Sequence, residues 1–594
     1  MISPATEYAN RKEARQKERA QRERVHRRIG GLKVLAIAAG LLLAWLCLVR
    51  DAISGYWLLA PVGAYLVLAV WHELTLRRRS RAEHAAAFCE RGLARIEDRW
   101  SGTGATGERF RDAKHIYAED LDLFGKGGLF QLLSSAQTAM GEERLAQWLL
   151  RPAPVEEIRE RQKSVSALRE ELDLREEVAL LGAELEGTLE PKQMDAWAEG
   201  ETKLANQGLR ALASGLAILE MAAIVWWAVR GEYAPFLVVL TVNACVYAWL
   251  WRRAEWAVSG VGANEDGLLI FSKILALIEQ RKFGSGRRED FQGGRRNESG
   301  GSRAVKQLAQ IVNWIDARDS LFVKILELPL LYTIQTGLAA DRWRKKHRGQ
   351  MREWLDAAAE FEALLSISAY AYEHPADPFP EFVDAADGQA IFSGRELGHP
   401  LIAAARCVRN SVHLGADTRV LLVSGSNMSG KSTLLRTVGV NFILAMAGAP
   451  VRAETLRLSP MALGARIRST DSLQEARSNF YTEILRIRQV AAMAEQETRV
   501  LFLFDELLEG TNSHDRQIGA EGLLHAFVER GAIGIITTHD LALTRMGSLD
   551  GNVRNVHFED QIVEGEMVFD YRLREGVVPK SNALDLMRWI GLKV

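Results

Sequence analysis

Residues Ser424 to Thr433 read Ser-Gly-Ser-Asn-Met-Ser-Gly-Lys-Ser-Thr, and Gly425 to Ser432 fit the pattern Gly-x-x-x-x-Gly-Lys-Ser. The β-rich run Val420 to Val423 precedes this stretch and the helical pattern Thr433 to Ala447 follows it. A strand, a glycine-rich loop and a helix in that order make a phosphate-binding loop, so an α/β P-loop domain is expected at the C-terminal end of the chain. Its glycines let successive backbone N–H groups turn towards phosphate, and the helix N-terminus adds partial positive charge. Gly425, Ser426, Asn427, Met428, Ser429, Gly430 and Thr433 form the expected nucleotide cradle. Lys431 is expected to reach the β- and γ-phosphates of ATP, and Ser432 to place its hydroxyl on Mg²⁺.

Downstream, the apolar run Val500 to Phe504 ends in Asp505-Glu506, the form of a Walker B strand. Asp505 would hold Mg²⁺ through the water layer around the ion. Glu506 would position and polarise the attacking water, because phosphoryl transfer is mainly a matter of positioning and charge stabilisation. A further strand, Ala532 to Thr537, runs into Thr538-His539. It places an imidazole where α/β sheets bind ligands, and His539 is expected to sense the γ-phosphate.

The chain has 594 residues, too many for one core, and a net charge of −1. Without a global excess of Lys and Arg, any contact with DNA must be local. Four scattered cysteines, Cys47, Cys89, Cys245 and Cys407, form neither a zinc spacing nor a disulfide framework and suit a reducing compartment.

Residues 1–30 are polar and rich in Arg, Lys and Glu, which reads as a helical or disordered basic cytoplasmic tail. Two apolar runs follow, Val34 to Val49 and Tyr56 to Trp71, separated by Arg50 to Gly55 and followed by Arg77, Arg78, Arg79 and Arg81. They predict a transmembrane hairpin within 31–73. Each run is slightly short of the roughly 20 residues of a usual span, and a buried soluble hairpin is the alternative. A second hairpin, within 206–253, is expected from Ala211 to Val229 and Pro235 to Trp251. Glu220 and Asn243 interrupt its runs, and a protonated or hydrogen-bonded Glu220 facing Asn243 or another helix is the simplest reading. Basic residues flank the long connections while both hairpin tips are short, so four transmembrane helices in an inner (cytoplasmic) membrane are expected, with everything else in the cytoplasm.

From Asp120 the sequence reads Asp-Leu-Asp-Leu-Phe-Gly-Lys-Gly-Gly-Leu-Phe, followed by Thr138-Ala-Met-Gly141, then Leu145-Ala-Gln-Trp-Leu-Leu-Arg-Pro152 and Arg161-Gln162. These residues resemble the helical core of the DNA mismatch repair MutS family, over 119–205 and again over 254–375. The two parts are interrupted by the second hairpin, which stands where DNA-gripping members carry a clamp domain. A helical connector, 74–118, leads into the core; a flexible basic loop is expected at 281–303 and a MutS-type ATPase domain at 385–594. The C-terminal resemblance is dense. It takes in Gly398-His-Pro-Leu401, Asn427-Met428, Asp471-Ser-Leu473, Ser478-x-Phe480-x-x-Glu483, Asp505-Glu506 with Gly510-Thr511, Thr538-His539, Ser581-Asn-Ala-Leu584 and Ile590-Gly-Leu592. It implies an ABC-type ATPase that works as a homodimer, with Ser478 pointing across the interface at the partner's γ-phosphate.

Some positions depart from the family. Ala476 stands where a glycine is usual, and Leu507-Leu508-Glu509 replaces the common Ile-Gly-Arg. Mismatch-reading members open with a domain carrying a Phe-x-Glu wedge. Here Phe88-Cys89-Glu90 has those letters, but it lies in an Ala-rich helix with too little chain before Asp120 to build such a domain, so the match reads as chance. The resemblance implies ATP-dependent DNA binding in mismatch repair or DNA processing; the alternative is an ATP-driven switch or scaffold acting on a membrane partner without DNA. An ABC transporter fits less well, because the Leu-Ser-Gly-Gly-Gln signature is absent and four short runs are few for a substrate path.

Overall fold

Val420–Ser424 and Val500–Phe504 carry no polar alternation, and a strand of that kind has to be covered on both faces. The computed structural model describes residues 3–50, 52–185, 187–204, 207–280, 300–383, 389–426, 428–468, 479–496, 499–508, 511–539, 543–544, 551–563 and 566–578. In it both strands are fully buried within a six-stranded sheet. The strands of the chain are β1 (Glu381–Phe382), β2 (Phe392–Leu397), β3 (Asn410–Leu414), β4 (Val420–Ser424), β5 (Thr455–Leu458), β6 (Ala462–Arg466), β7 (Val500–Phe504), β8 (Ile533–Thr538), β9 (Val553–Val563) and β10 (Glu566–Glu575). The large sheet has the order β10-β9-β4-β8-β7-β6, parallel except for the β9–β10 hairpin at one edge. A smaller sheet has the order β1-β5-β2-β3. The result is a mixed α/β C-terminal part behind a mostly helical N-terminal part.

Parallel neighbours need crossover helices, and the sequence supplies them as Lys431–Ala447, Asn479–Glu495 and Ser513–Glu529. The first is buried almost along its whole length. On the other side of β7, Phe527 stacks on Phe502 with ring centroids 4.7 Å apart. Val490, Leu524, Ile536 and Leu543 close the same core.

The chain divides into two compact units, Met1–Ser135 with Leu145–Leu172 and Leu364–Val594, and Ala136–Arg144 with Asp173–Ala363. In the first, the basic tail and the first apolar run form one 45-residue helix, Pro4–Leu48. It pairs with helix Leu59–Ile96 through Arg19 to Glu83 at 3.1 Å and Arg79 to Glu23 at 3.0 Å. Exposed ion pairs such as these contribute little. The anchor is Tyr8, fully buried, with its ring over Gly92, where an added Cβ would lie 2.5 Å from the ring. Its hydroxyl donates to Glu373 at 3.1 Å, and Arg95 donates two 2.6 Å bonds to the same carboxylate. Phe88 packs edge-on against Tyr8, so the Phe-Cys-Glu triplet sits inside this helix pair.

In the second unit, helices Gln207–Arg230 and Ala234–Val258 form the second hairpin. Helix Tyr332–His347 packs against them, with Leu331, Ile334 and Leu338 against Leu250, Ala254 and Ala257. Glu220 and Asn243 are both fully buried. Asn243 donates to the Pro329 carbonyl at 3.4 Å, and neither Glu220 oxygen has a hydrogen-bond partner among the described residues. Among the described residues four helices are long and apolar enough to cross a membrane: Pro4–Leu48, Gly55–Ile96, Gly208–Arg230 and Ala234–Val258. Of the basic loop at 281–303, residues 281–299 lie outside the described residues.

The Thr138-Ala-Met-Gly141 step has a structural explanation. Gln137 and Thr138 donate their backbone N–H groups to buried Glu362 at 3.2 and 3.1 Å, and Gly141 donates to the Thr138 hydroxyl at 3.1 Å. Burial pushes the Glu362 carboxyl up from 4.5 to about 7, against the pull of those N–H groups. The folded protein therefore keeps this proton to a higher pH than the unfolded chain does. Its contribution to stability is fullest below about pH 4.5 and is lost as pH rises towards 7. Thermal melts of the detergent-purified protein from about pH 5 to about pH 8 are expected to show a fall on the order of 2–3 kcal/mol from this group, and Glu362→Gln is expected to flatten it.

Candidate functional site

The sheet order decides which side chains meet. β8 lies between β4 and β7, with Ser424 opposite Thr538 and Phe504 opposite Ile536. All three strands run the same way, so the loop after β4, Asp505-Glu506 after β7, and Thr537-Thr538-His539 at the end of β8 share one edge of the sheet. That carboxyl edge is where parallel α/β sheets place ligands.

At the end of β4 the chain turns through the loop into helix Lys431–Ala447. Gly430, at φ +105°, forms its N-cap, a conformation in which a side chain would be strained. Lys431 is buried, and its ammonium donates to the Gly425 and Ser426 carbonyls at 2.9 Å each. The same Nζ stands 3.9 Å from Glu506 Oε1, and His539 Nδ1 lies 3.7 Å from that oxygen. Glu506, at φ +50°, thus lies within 4 Å of both a cation and an imidazole. The hydroxyls of Ser426 and Ser429 are buried in the loop without hydrogen-bond partners among the described residues.

Gly430, Lys431 and Glu506 open on a cavity of about 730 Å³. Its floor includes Gly430, Lys431, Ser432, Thr433, Asp505 and Glu506; Ile402, Val408, Met428 and Tyr571 contribute an apolar wall. A triphosphate would meet the loop end and a planar base the wall. The Ser432 hydroxyl and the Asp505 carboxylate lie on the same cavity, a donor set that suits Mg²⁺, which keeps several waters and takes its remaining ligands from phosphates. Among the described residues no group of three or more His, Cys, Asp or Glu forms a self-sufficient metal site. Asn427 and Ser478 lie outside the described residues, as do Asp471-Ser-Leu473 and the stretches at 581–584 and 590–592.

Three features carry no role in the sequence reading. Thr537 joins the two carboxylate residues: its hydroxyl donates to Asp505 Oδ1 and accepts the Glu506 backbone N–H at 3.0 Å. Its only sequence signal is a hydroxyl one position before Thr538. Glu483 accepts the Leu508 N–H at 2.7 Å, tying helix Asn479–Glu495 to the turn after the carboxylates. Leu508, at the position where the family commonly has glycine, adopts φ +57°. His399 is buried in the Gly-His-Pro turn, where its Nδ1 accepts the Leu401 N–H at 3.2 Å. Burial, assisted by Arg436, pushes its pKa down to about 4 and keeps it neutral.

The Asp-Leu-Asp opening of the helical region docks beside this edge. Asp120 accepts the backbone N–H groups of Ile467 and Arg468 at 2.7 and 2.9 Å, and Asp122 pairs with Arg468 and, at 3.2 Å, with Arg436. Its two carboxylates therefore hold the chain as it leaves β6 and also hold the loop-following helix.

Two family models match the chain: MutS domain III over residues 115–195 and MutS domain V over residues 421–593. The chain is 33% identical over 264 residues to the DNA mismatch repair protein MSH6 of Arabidopsis thaliana, covering 42% of this chain and 20% of that protein. It is 27% identical over 299 residues to the DNA mismatch repair protein MutS of Lactococcus lactis subsp. lactis, covering 50% of this chain and 34% of the relative. With the Endonuclease MutS2 of Thermus thermophilus it shares 34% identity over 195 residues, 33% of this chain and 25% of the relative. The matched part thus spans between a fifth and about a third of the length of these relatives. Domain III ahead of domain V in one chain, with the Asp-Leu-Asp segment of the first seated on the strand edge of the second, supports a MutS-family protein.

Proposed function

We propose that the protein is a membrane-anchored MutS-family ATPase, with an ABC-type P-loop domain that binds ATP with Mg²⁺ and hydrolyses it to close and open a homodimer. The observation that carries this reading is the convergence of Lys431, Glu506 and His539 within 4 Å steps of one another at the mouth of a nucleotide-sized cavity. Lys431 would exchange its two loop carbonyls for phosphate oxygens. Mg²⁺, held through Ser432 and Asp505, would supply charge neutralisation on the phosphates. Glu506 orients and polarises water, His539 senses the γ-phosphate side, and Thr537 fixes the carboxylate pair. Ser478 would act on the nucleotide of the partner subunit across the dimer. The MutS and MSH relatives support a MutS-related role in DNA mismatch repair or DNA processing.

The four apolar helices support anchoring in the inner membrane, with the ATPase and helical core in the cytoplasm. The second hairpin, placed between the two helical stretches that resemble the MutS core, favours a second reading: an ATP-driven switch on a membrane partner without DNA. Duplex, mismatched and branched DNA titrated against the full-length protein across a salt series separates the two. A steep salt slope with altered ATP turnover supports DNA processing, whereas normal turnover indifferent to DNA supports the membrane switch.

Glu506→Gln is expected to bind ATP, trap the closed dimer and lower turnover by about a hundredfold or more, and normal hydrolysis by that variant would remove Glu506 from its role. Thr537→Val is expected to lower kcat by about tenfold to a hundredfold with little change in nucleotide affinity, and Thr537→Ser to restore it. An equal loss in Thr537→Ser would mark the position as a packing site.

A further inference from the structure

A second cavity, of about 640 Å³, lies in the second unit, remote in sequence from the nucleotide residues. Helices Gly301–Ala317 and Tyr332–His347 form its walls, and the start of helix Gln207–Arg230 closes it. Its interior is apolar, with Ile311, Trp314, Leu338 and Trp343. Arg210, Arg342 and Lys346 stand on it, all exposed, and none of them makes an ion pair among the described residues. No acidic side chain is among the described residues that line it. An apolar pocket with an uncompensated cationic rim fits an anionic amphiphile.

A buried histidine also borders this space. His347 is 1% exposed and lines the cavity; Nδ1 bonds Gln350 Oε1 at 2.7 Å, while Nε2 is buried with no partner among the described residues. Burial lowers its pKa, so the neutral ring keeps Nε2 as an acceptor, one that a ligand hydroxyl would reach by displacing the wall over it.

Helix Leu321–Leu330 supplies the third observation. It has no buried residue, and Leu321, Phe322 and Ile325 are 74, 81 and 67% exposed. It nevertheless packs beside the second hairpin. Just before it, Arg318 pairs with Glu255 at 2.7 Å, and near its end the Pro329 carbonyl accepts from Asn243 at 3.4 Å. Between those two contacts lie about 18 Å of helix Ala234–Val258 at ~1.5 Å per residue. The chain then turns by 81° into helix Tyr332–His347, and Leu330 and Tyr332 of that turn line the cavity. Helix Leu321–Leu330 therefore follows the hairpin from its basic end towards its middle, with an exposed apolar face. Lys324, on the same helix, has a stem long enough to carry its charge to a surface.

We propose that this cavity binds the headgroup of an anionic, hydroxyl-bearing glycerophospholipid, with the acyl chains lying along helix Leu321–Leu330. This rests on the reading of Gln207 to Val258 as a membrane hairpin. Arg210, Arg342 and Lys346 meet the phosphate, His347 Nε2 accepts a headgroup hydroxyl, and the tryptophans hold the glycerol level, as aromatic residues do at membrane surfaces. The second unit would then be held by a particular lipid as well as by its hairpin.

Full-length protein in detergent is titrated with dioctanoyl phosphatidylglycerol, dioctanoyl phosphatidylcholine and inorganic phosphate, and binding is read by native mass spectrometry. Phosphatidylglycerol is expected to bind at least about tenfold more tightly than phosphatidylcholine, and the triple variant Arg210→Gln/Arg342→Gln/Lys346→Gln to lose that preference while keeping its basal ATPase rate. Equal binding of the two lipids, or an unchanged preference in the triple variant, overturns the proposal. Inorganic phosphate competing at the same concentration as the lipid overturns it too, by showing a simple anion site. Glu232→Cys at the tip of the second hairpin, probed in intact cells with a membrane-impermeant maleimide, separates the two failures. No labelling of that tip from outside sinks the hairpin reading along with the lipid site, and labelling without lipid preference sinks the lipid site alone.

Discussion

The candidate site depends on the register of three parallel strands. Ser424 opposite Thr538 and Phe504 opposite Ile536 align the loop lysine, the carboxylate pair and the imidazole along one edge. A slip of one residue in β8 would turn Thr537 to the opposite face, taking its hydroxyl from Asp505 and from the Glu506 N–H together. Burial on both faces guards against that slip, since every residue of β4, β7 and β8 is inside. The phenylalanines around Phe502 thus serve the geometry of the candidate site indirectly, by packing the strands that carry it.

Much of this was legible in the residues, for physical reasons. The phosphate loop, the apolar strand ending in two carboxylates and the strand ending in Thr-His are local patterns, in which a few neighbours dictate the backbone. The roles of Thr537 and Glu483 were harder to see because their work is done through partners 31 and 25 residues away. A hydroxyl in a strand or a glutamate in a helix has no local signature for a bond made across the fold. The same holds for Tyr8. The tail is visibly basic and lacks an apolar face, and nothing in that stretch announces that one tyrosine will be buried against Gly92 and Glu373.

The two Asp residues at the opening of the helical region show how a family motif can be explained by its contacts. Asp120 takes two backbone N–H groups where the chain leaves β6, a form of capping that leaves no donor unsatisfied. Asp122 reaches both Arg468 and Arg436, the latter on the helix that begins with Lys431. The carboxylates thus link the segment that begins the helical region to the exit of β6 and to the helix that follows the glycine-rich loop.

Helix Pro4–Leu48 has a mechanical consequence. Its polar portion, from Pro4 to about Arg28, is about 38 Å long at ~1.5 Å per residue, and a paired helix neither stretches nor compresses appreciably. Its far end is pinned at Tyr8 to Glu373, the last residue of helix Gln350–Glu373, and the other end is the first apolar run. A displacement of about 1 Å at the pinned end therefore appears as a tilt of roughly one to two degrees along the whole strut. Motion of the Glu373 helix would reach the apolar end as a change of angle at constant length, so the strut sets a fixed standoff while leaving orientation adjustable.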